Sequence, residues 1–333
     1  MVTFTAYKGH KSGKIQKSTI TKPDKLEGDQ VLVKITASGV CYTDIHFKTS
    51  DMVLGHEGIG VVEKVGPTCK VLKPGQRVGW GYTHDSCGHC QPCLRGDEIY
   101  CPQRAMYAEA DLDQGSFASH AIWRKAFLFE IPDALSDEQA APLQCGGATV
   151  FNALRAYNTQ ATETVGVMGV GGLGHLAIKF ASKMGCRVVV LSGTESKRAE
   201  AMQLGASEFV ATKGKKQLKV LQPLDRLLVT TSAQPNWEQI MPIMAPCASI
   251  HPLSIADGNF EVPYMPLLTK GMTIQGSVVA PRHVHKDMLE FAALHDVKPV
   301  TQTFPLTEKG VAEAMDKLEK GELHFRAVLI AQK

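Results

Sequence analysis

Four cysteines fall within fifteen residues in the stretch Cys87-x-x-Cys90-x-x-Cys93-x7-Cys101. Thiolates this dense can close a tetrahedron around one small ion, and Gly88, Pro92 and Gly96 supply the turns that let a single loop wrap it. Four sulfurs suit Zn2+ in a closed site with no position left for chemistry, and iron–sulfur ligation uses the same number. A second set is dispersed: Cys41, His56 and Cys145, each in a glycine-bearing turn. Two thiols and an imidazole leave a fourth position of a tetrahedral metal open to a reacting group. Spacing alone does not make these three a set, because a buried structural cysteine or a satisfied histidine reads the same way one residue at a time.

A third signal is a glycine turn between two strand-like runs. Val165-Gly166-Val167-Met168 leads into Gly169-Val170-Gly171-Gly172-Leu173-Gly174, then an apolar helical run to Met184, a stop at Gly185 and a second strand from Arg187 to Leu191. Gly169 permits the tight turn, Gly171 lets backbone approach a pyrophosphate and Gly174 lets helix pack close to strand. Gly172 and Leu173 complete the turn at a helix N-terminus, whose free N–H groups and dipole favour phosphate. The strand–turn–helix–strand order predicts a dinucleotide site. An NAD-selective site carries an acid at the end of the second strand, where it bonds the ribose hydroxyls. Here the strand runs into Ser192-Gly193-Thr194, followed by Lys197 and Arg198. Two hydroxyls, a gap and two cations predict a 2′-phosphate, hence NADP(H). Glu195 falls beyond the strand end, where it is expected to face solvent.

The surrounding chain supplies elements to position these groups. Gln30 to Thr36 alternates apolar and polar residues, and Val61 to Val65 and Arg77-Val78 read as small-barrel strands. Ser136 with Asp137 and Glu138 opens a helix, and Cys145 lies in helical sequence that runs on to about Tyr157. Beyond Arg198, strands are predicted near Phe209-Val210, Arg226–Thr230, Ala248–Ile250 and Met272–Val279, and helices at Ala199–Leu204, His285–Leu294 and Glu308–Leu318. Phe325–Ile330 reads as a closing strand. The expected organisation is α/β. Residues 1–148 form a β-rich domain with the cysteine lobe at 87–101, residues 149–280 a dinucleotide-binding domain, and 281–333 return to the first.

A chain of 333 residues with 44% hydrophobic content has enough apolar surface for two such cores. A net charge of +3 is too small to argue for nucleic acid or a membrane surface. The first residues show no leader pattern and no apolar run approaches the roughly 20 residues of a membrane span, so a soluble, cytoplasmic protein is expected. Nine cysteines in such a protein point to metal or catalysis before disulfides.

Taken together, Gly39-Val40-Cys41-x-Thr43-Asp44-x-His46, Gly55-His56-Glu57, the four-cysteine lobe, Cys145-Gly146-Gly147 and Gly169 to Gly174 give a chain that resembles the zinc-containing medium-chain alcohol dehydrogenases. Within them it is most similar to the cinnamyl-alcohol-dehydrogenase-like branch, and the resemblance covers nearly the whole chain. It implies a GroES-like β-rich catalytic domain and a Rossmann doubly wound parallel sheet, dimeric through the Rossmann sheets. It implies two zinc ions per chain: a catalytic one on Cys41, His56 and Cys145, and a structural one on Cys87, Cys90, Cys93 and Cys101. Glu57 matches a carboxylate beside the catalytic metal that can serve as an alternative ligand. Thr43 and His46 match a proton relay that runs through the cofactor ribose, and Ser277 joins the cofactor set. The implied reaction is zinc-dependent hydride transfer between NADP(H) and an aldehyde or alcohol, in the direction of aldehyde reduction, on a small-molecule substrate. Two other readings fit the same motifs: a reductase of activated C=C bonds, and a zinc-bound relative that has lost turnover. One departure stands out. The nine residues Phe47 to Gly55 separate His46 from His56, where the family usually has several more, and the segment from Cys101 to Gly115 is also short.

Overall fold

The alternation that begins at Gln30 becomes the longest strand of the molecule, Gln30–Val40. Its burial is nearly continuous rather than alternating, because both faces are covered: Val31, Val33 and Ile35 join the main core, while Leu32 packs with Phe4 and Leu26. The computed structural model describes residues 1–332 and divides into two compact units, Met1–Gly146 with Pro281–Lys333, and Gly147–Ala280. In the first unit the main sheet has seven strands in the order Thr301–Pro305, Arg326–Ile330, Gln30–Val40, Gly58–Val65, Arg77–Trp80 and Phe129–Glu130, with His120–Arg124 also on Gln30–Val40. All pairs are antiparallel except Thr301–Pro305 with Arg326–Ile330. Val33, Ile35, Val78, Trp80, Phe117, Trp123 and Leu329 fill its core. The hairpin Val2–Lys8/Gln16–Lys22 stands as a separate ribbon. Ser136 caps its helix as expected: its hydroxyl accepts from Gln139 N and the Gln139 side chain accepts from Ser136 N.

The second unit is a six-stranded, wholly parallel sheet in the order Glu208–Ala211, Arg187–Ser192, Thr164–Met168, Leu224–Val229, Met244–Pro252 and Thr273–Ile274. The order reverses between the third and fourth of these strands, which is where such sheets open a crevice at their carboxyl ends. The strand expected over Met272–Val279 is confined to Thr273–Ile274. It lies at the sheet edge with one neighbour and both of its residues are exposed; beyond it Val279 has φ +40, and the run is held by side chains, Tyr157 to Gly276 O and Asn152 to Val279 O, rather than by a strand partner. Among the described residues no helix is long and apolar enough to cross a membrane.

The glycine turn joins Thr164–Met168 to the helix Gly174–Lys183. Gly169 has φ +102, and a Cβ on Gly174 would fall on the Gly169 carbonyl oxygen. Thr230, which the sequence did not single out, seals the turn: its hydroxyl donates to the carbonyls of Met168 at 2.9 Å and Gly169 at 3.1 Å. Gly174→Ala is therefore expected to force the helix off the turn, cost about 1–3 kcal/mol in chemical unfolding, and weaken dinucleotide binding measured by fluorescence titration.

Candidate active site

Cys41 follows the long central strand and caps the short helix Tyr42–His46. His56 and Glu57 precede the neighbouring strand Gly58–Val65. Cys145 closes a 3-10 turn, Ala141–Gln144, just before the helix Gly146–Arg155. Sheet pairing therefore brings three sequence-distant segments together, and ligand atoms of Cys41, His56, Glu57 and Cys145 all lie within 4.8 Å of one another.

Asp44 sets the geometry. It is fully buried. Its Oδ1 accepts from His56 Nδ1 at 3.0 Å, Tyr107 Oη at 2.9 Å and Gly55 N at 3.2 Å, and its Oδ2 accepts from Cys41 N at 2.9 Å. A carboxylate on Nδ1 fixes that nitrogen as the proton carrier and leaves Nε2 with its lone pair. Nε2 is buried and has no partner in the protein. Burial pulls the His56 pKa down, but Asp44 and Cys41 outweigh it and raise it well above the usual value, so a metal on Nε2 would take the place of a proton there. The Cys41 thiol is drawn well down, first by its hydrogen bond with Cys145 and then by His56. Cys145 is pushed up, first by Cys41 and then by burial. The two sulfurs therefore influence each other's ionisation, as close titratable pairs do. A buried imidazole nitrogen without a partner beside two thiols fits a thiophilic metal such as zinc.

Glu57 is buried against Gly39, where any side chain would collide with its Oε2. Its other oxygen accepts from Arg326 Nη2 on the closing strand. Burial raises the Glu57 carboxyl to about 7, against the opposing pull of Arg326. Arg326 was missed in the sequence, as were Asp44 and Tyr107 as site residues. The available signal was a lone cation entering an otherwise apolar strand, Arg326-Ala327-Val328-Leu329-Ile330. Cys145 is held from the preceding residue. Gln144 donates to Ala140 O at 3.0 Å and accepts from His285 Nε2 at 3.0 Å, and His285 stacks flat on Phe129 at 3.9 Å. Burial keeps His285 neutral, pushing it down to about 3.

Thr43 is buried with its hydroxyl 3.7 Å from Cys41 Sγ, while His46 is exposed and lies edge-on to Tyr42. Tyr82, also unremarked in the sequence, stands edge-on to His56 at 5.5 Å. The four lobe cysteines likewise gather within 4.8 Å, all free of disulfides. Backbone N–H groups of Cys87, Cys90 and Gln103 point at lobe sulfurs at 3.3–3.5 Å. The Cys87 thiol is drawn down to about 6, chiefly by the His89 backbone N–H. Such donors favour thiolates, and the set fits a closed four-sulfur metal site.

In the second unit, a Cβ on Gly171 or Gly193 would meet nothing within 4 Å, so both turns are open to a ligand. Ser192 ends its strand, and the Ser277 hydroxyl is buried without a partner. Lys197 and Arg198 are not bare cations. Lys197 pairs with Glu200 at 3.1 Å, and Arg198 grips Glu195 through two bonds of 2.7 and 3.0 Å while lying over Phe209. Glu195 is exposed beyond the strand end, as expected, and is also the partner of Arg198.

Residues 27–133 match the family described as alcohol dehydrogenase GroES-like domain, and residues 172–293 the family described as zinc-binding dehydrogenase. Cinnamyl alcohol dehydrogenase 8 of Arabidopsis thaliana is 31% identical over 333 residues, 96% of this chain and 92% of that protein. NADP-dependent alcohol dehydrogenase C 1 of Mycolicibacterium smegmatis is 32% identical over 345 residues, covering 99% and 98%. A cinnamyl alcohol dehydrogenase from Sorghum bicolor superposes with TM-score 0.90 at 30% identity, covering 99% of this chain and 98% of that one.

Removing one member of a buried ion pair strands the other. Arg326→Met is expected to cost about 3–5 kcal/mol in denaturant unfolding, and adding Glu57→Gln to recover most of that loss. Equal stability of the single and double variants would contradict the pairing.

Proposed function

The chain belongs to the zinc-containing medium-chain alcohol dehydrogenases, in their cinnamyl-alcohol-dehydrogenase-like branch, and on that premise we propose that it is a zinc-dependent oxidoreductase that uses NADPH to reduce aldehydes to primary alcohols. The observation that carries this reading is the buried, unpartnered Nε2 of His56 beside the thiols of Cys41 and Cys145. Zinc bound by these three residues supplies Lewis-acid polarisation of a carbonyl oxygen. The protein's own groups do the rest. Asp44 holds the His56 imidazole in one tautomer and one orientation. Thr43, buried with its hydroxyl beside Cys41 Sγ, would supply the proton that the reduced oxygen takes up, and exposed His46 would exchange protons with solvent in the same relay. Arg326 keeps Glu57 oriented beside the ligands. The cysteine lobe holds a second zinc with no part in the chemistry.

Dimerisation through the second unit is supported by the single-neighbour edge Thr273–Ile274 and by Tyr264, Met265 and Leu268 exposed in the same unit. Nine unpaired cysteines, seven of them set as ligands, support a reducing compartment and hence the cytoplasm.

His56→Ala is expected to remove aldehyde reduction, a loss worth several kcal/mol of charge stabilisation, while leaving NADPH binding intact. Metal analysis should fall from about two zinc per chain to about one. Retention of near-wild-type turnover would overturn the catalytic assignment.

Cofactor choice rests on Ser192, the open Gly193, Thr194, Lys197 and Arg198. A 2′-phosphate competes with Glu200 and Glu195 for the two cations, so its net gain is smaller than the bare charges suggest. NADPH is still expected to exceed NADH in kcat/KM by roughly ten- to a hundredfold, the worth of a charged hydrogen bond. Gly193→Asp should reverse that order; preference for NADH in the unaltered protein would refute it.

A further inference from the structure

The shortened stretch Phe47–Gly55 must still deliver His56 to the site, and the structure shows what holds it. Met52 O and Lys48 O accept from Gly9 N and His10 N, Val53 N donates to Leu112 O at 2.8 Å, and Leu54 O accepts from Phe117 N at 2.7 Å. The stretch is thus laced on one side to the residues that follow the first strand, and on the other to Leu112, in the short segment between Cys101 and Gly115, and to Phe117 just beyond it. Tyr107 projects from that second segment. Its side chain is buried, with the ring tilted over the His56 ring at 4.8 Å and edge-on to Phe47 at 5.9 Å. Its hydroxyl is used in both senses. It accepts from Gly55 N at 3.0 Å and donates to Asp44 Oδ1 at 2.9 Å, the same oxygen that receives His56 Nδ1.

We propose that Tyr107 is a positioning residue for the metal-binding histidine, acting through Asp44: its hydroxyl ties the residue before His56 to the carboxylate that orients the His56 ring. The proposal rests on the reading that Cys41, His56 and Cys145 hold zinc. Asp44 Oδ1 receives three donors from three directions, and only the tyrosine hydroxyl links the carboxylate to the segment packed over the short stretch. Without it, Asp44 keeps its bond to the imidazole but loses a constraint on its own rotation, and Gly55 N loses one of two acceptors. Groups that orient metal-binding imidazoles affect metal retention more than they affect folding.

The test uses the full zinc-loaded chain and follows chelator-driven zinc release by the absorbance of a pyridylazo dye, with the cysteine lobe as internal reference. Tyr107→Phe retains the ring. It is expected to release the catalytic-site zinc about tenfold faster, with lobe zinc and thermal midpoint little changed. A cobalt-substituted sample should show a shifted visible band from the same site. Phe47→Leu, which removes the ring's neighbour and leaves the hydroxyl, is expected to release zinc at the wild-type rate. In an Asp44→Asn background, Tyr107→Phe should add nothing, because the two act in series. Release rates for Tyr107→Phe equal to wild type overturn the proposal, as does equal acceleration by Phe47→Leu or full additivity with Asp44→Asn. A wild-type chain that takes up zinc in the lobe alone overturns both this proposal and the catalytic-zinc reading beneath it. A wild-type chain with two zinc ions and an unaffected Tyr107→Phe overturns this proposal alone.

Discussion

A carboxylate cut off from water is costly unless donors gather around it, and Asp44 is such a carboxylate. Its four donors come from Cys41, Gly55, His56 and Tyr107. The requirement to satisfy one buried charge therefore fixes the turn that bears the first cysteine, the approach to the histidine and the tilt of the ring. The ligand cluster is built on that constraint, while its two thiols act against each other, Cys41 drawn down and Cys145 pushed up.

The second unit is governed by backbone rather than by charge. In a parallel sheet the strand ends gather unpaired N–H and C=O groups at opposite edges, and the glycine turn places its N–H groups at the carboxyl edge. The turn holds its shape because Thr230, just after the neighbouring strand, donates its N–H to Met168 O and shares its hydroxyl proton between the Met168 and Gly169 carbonyls. Absence of a side chain at Gly174 and presence of a hydroxyl at Thr230 are two halves of one packing solution.

Much of this was legible from sequence because it is local. The glycine turn, the cysteine lobe, the Ser136 cap and the parallel strands up to Ile250 are written in runs a few residues long, and the fold class follows from their order. The family resemblance allowed Cys41, His56 and Cys145 to be grouped, which spacing could not do, and the structure brings them within reach of one another. What was not legible depends on contacts far apart in sequence. Arg326 meets Glu57 across 269 residues, Tyr107 meets Asp44 across 63, and Thr230 meets Met168 across 62. The edge strand was overdrawn because apolar residues from Met272 to Val279 look like a strand whether or not a neighbour exists to pair with them. Lys197 and Arg198 were legible as cations but not as cations with partners three residues away, because a short helical start brings positions i and i+3 together.

The bond between Arg326 and Glu57 also orders events in time. The first unit is discontinuous in the chain, and its central strand Gln30–Val40 gains the neighbour Arg326–Ile330 only when the last residues are made. At ribosomal rates of about 5–20 residues per second, the 269 residues between Glu57 and Arg326 take roughly a quarter of a minute to a minute to emerge. Throughout that interval the nascent chain carries its thiols, its histidine and an acid destined for burial, with no guanidinium to meet it. Vectorial synthesis thus makes the burial of Glu57 against its guanidinium one of the last contacts that the first unit can complete.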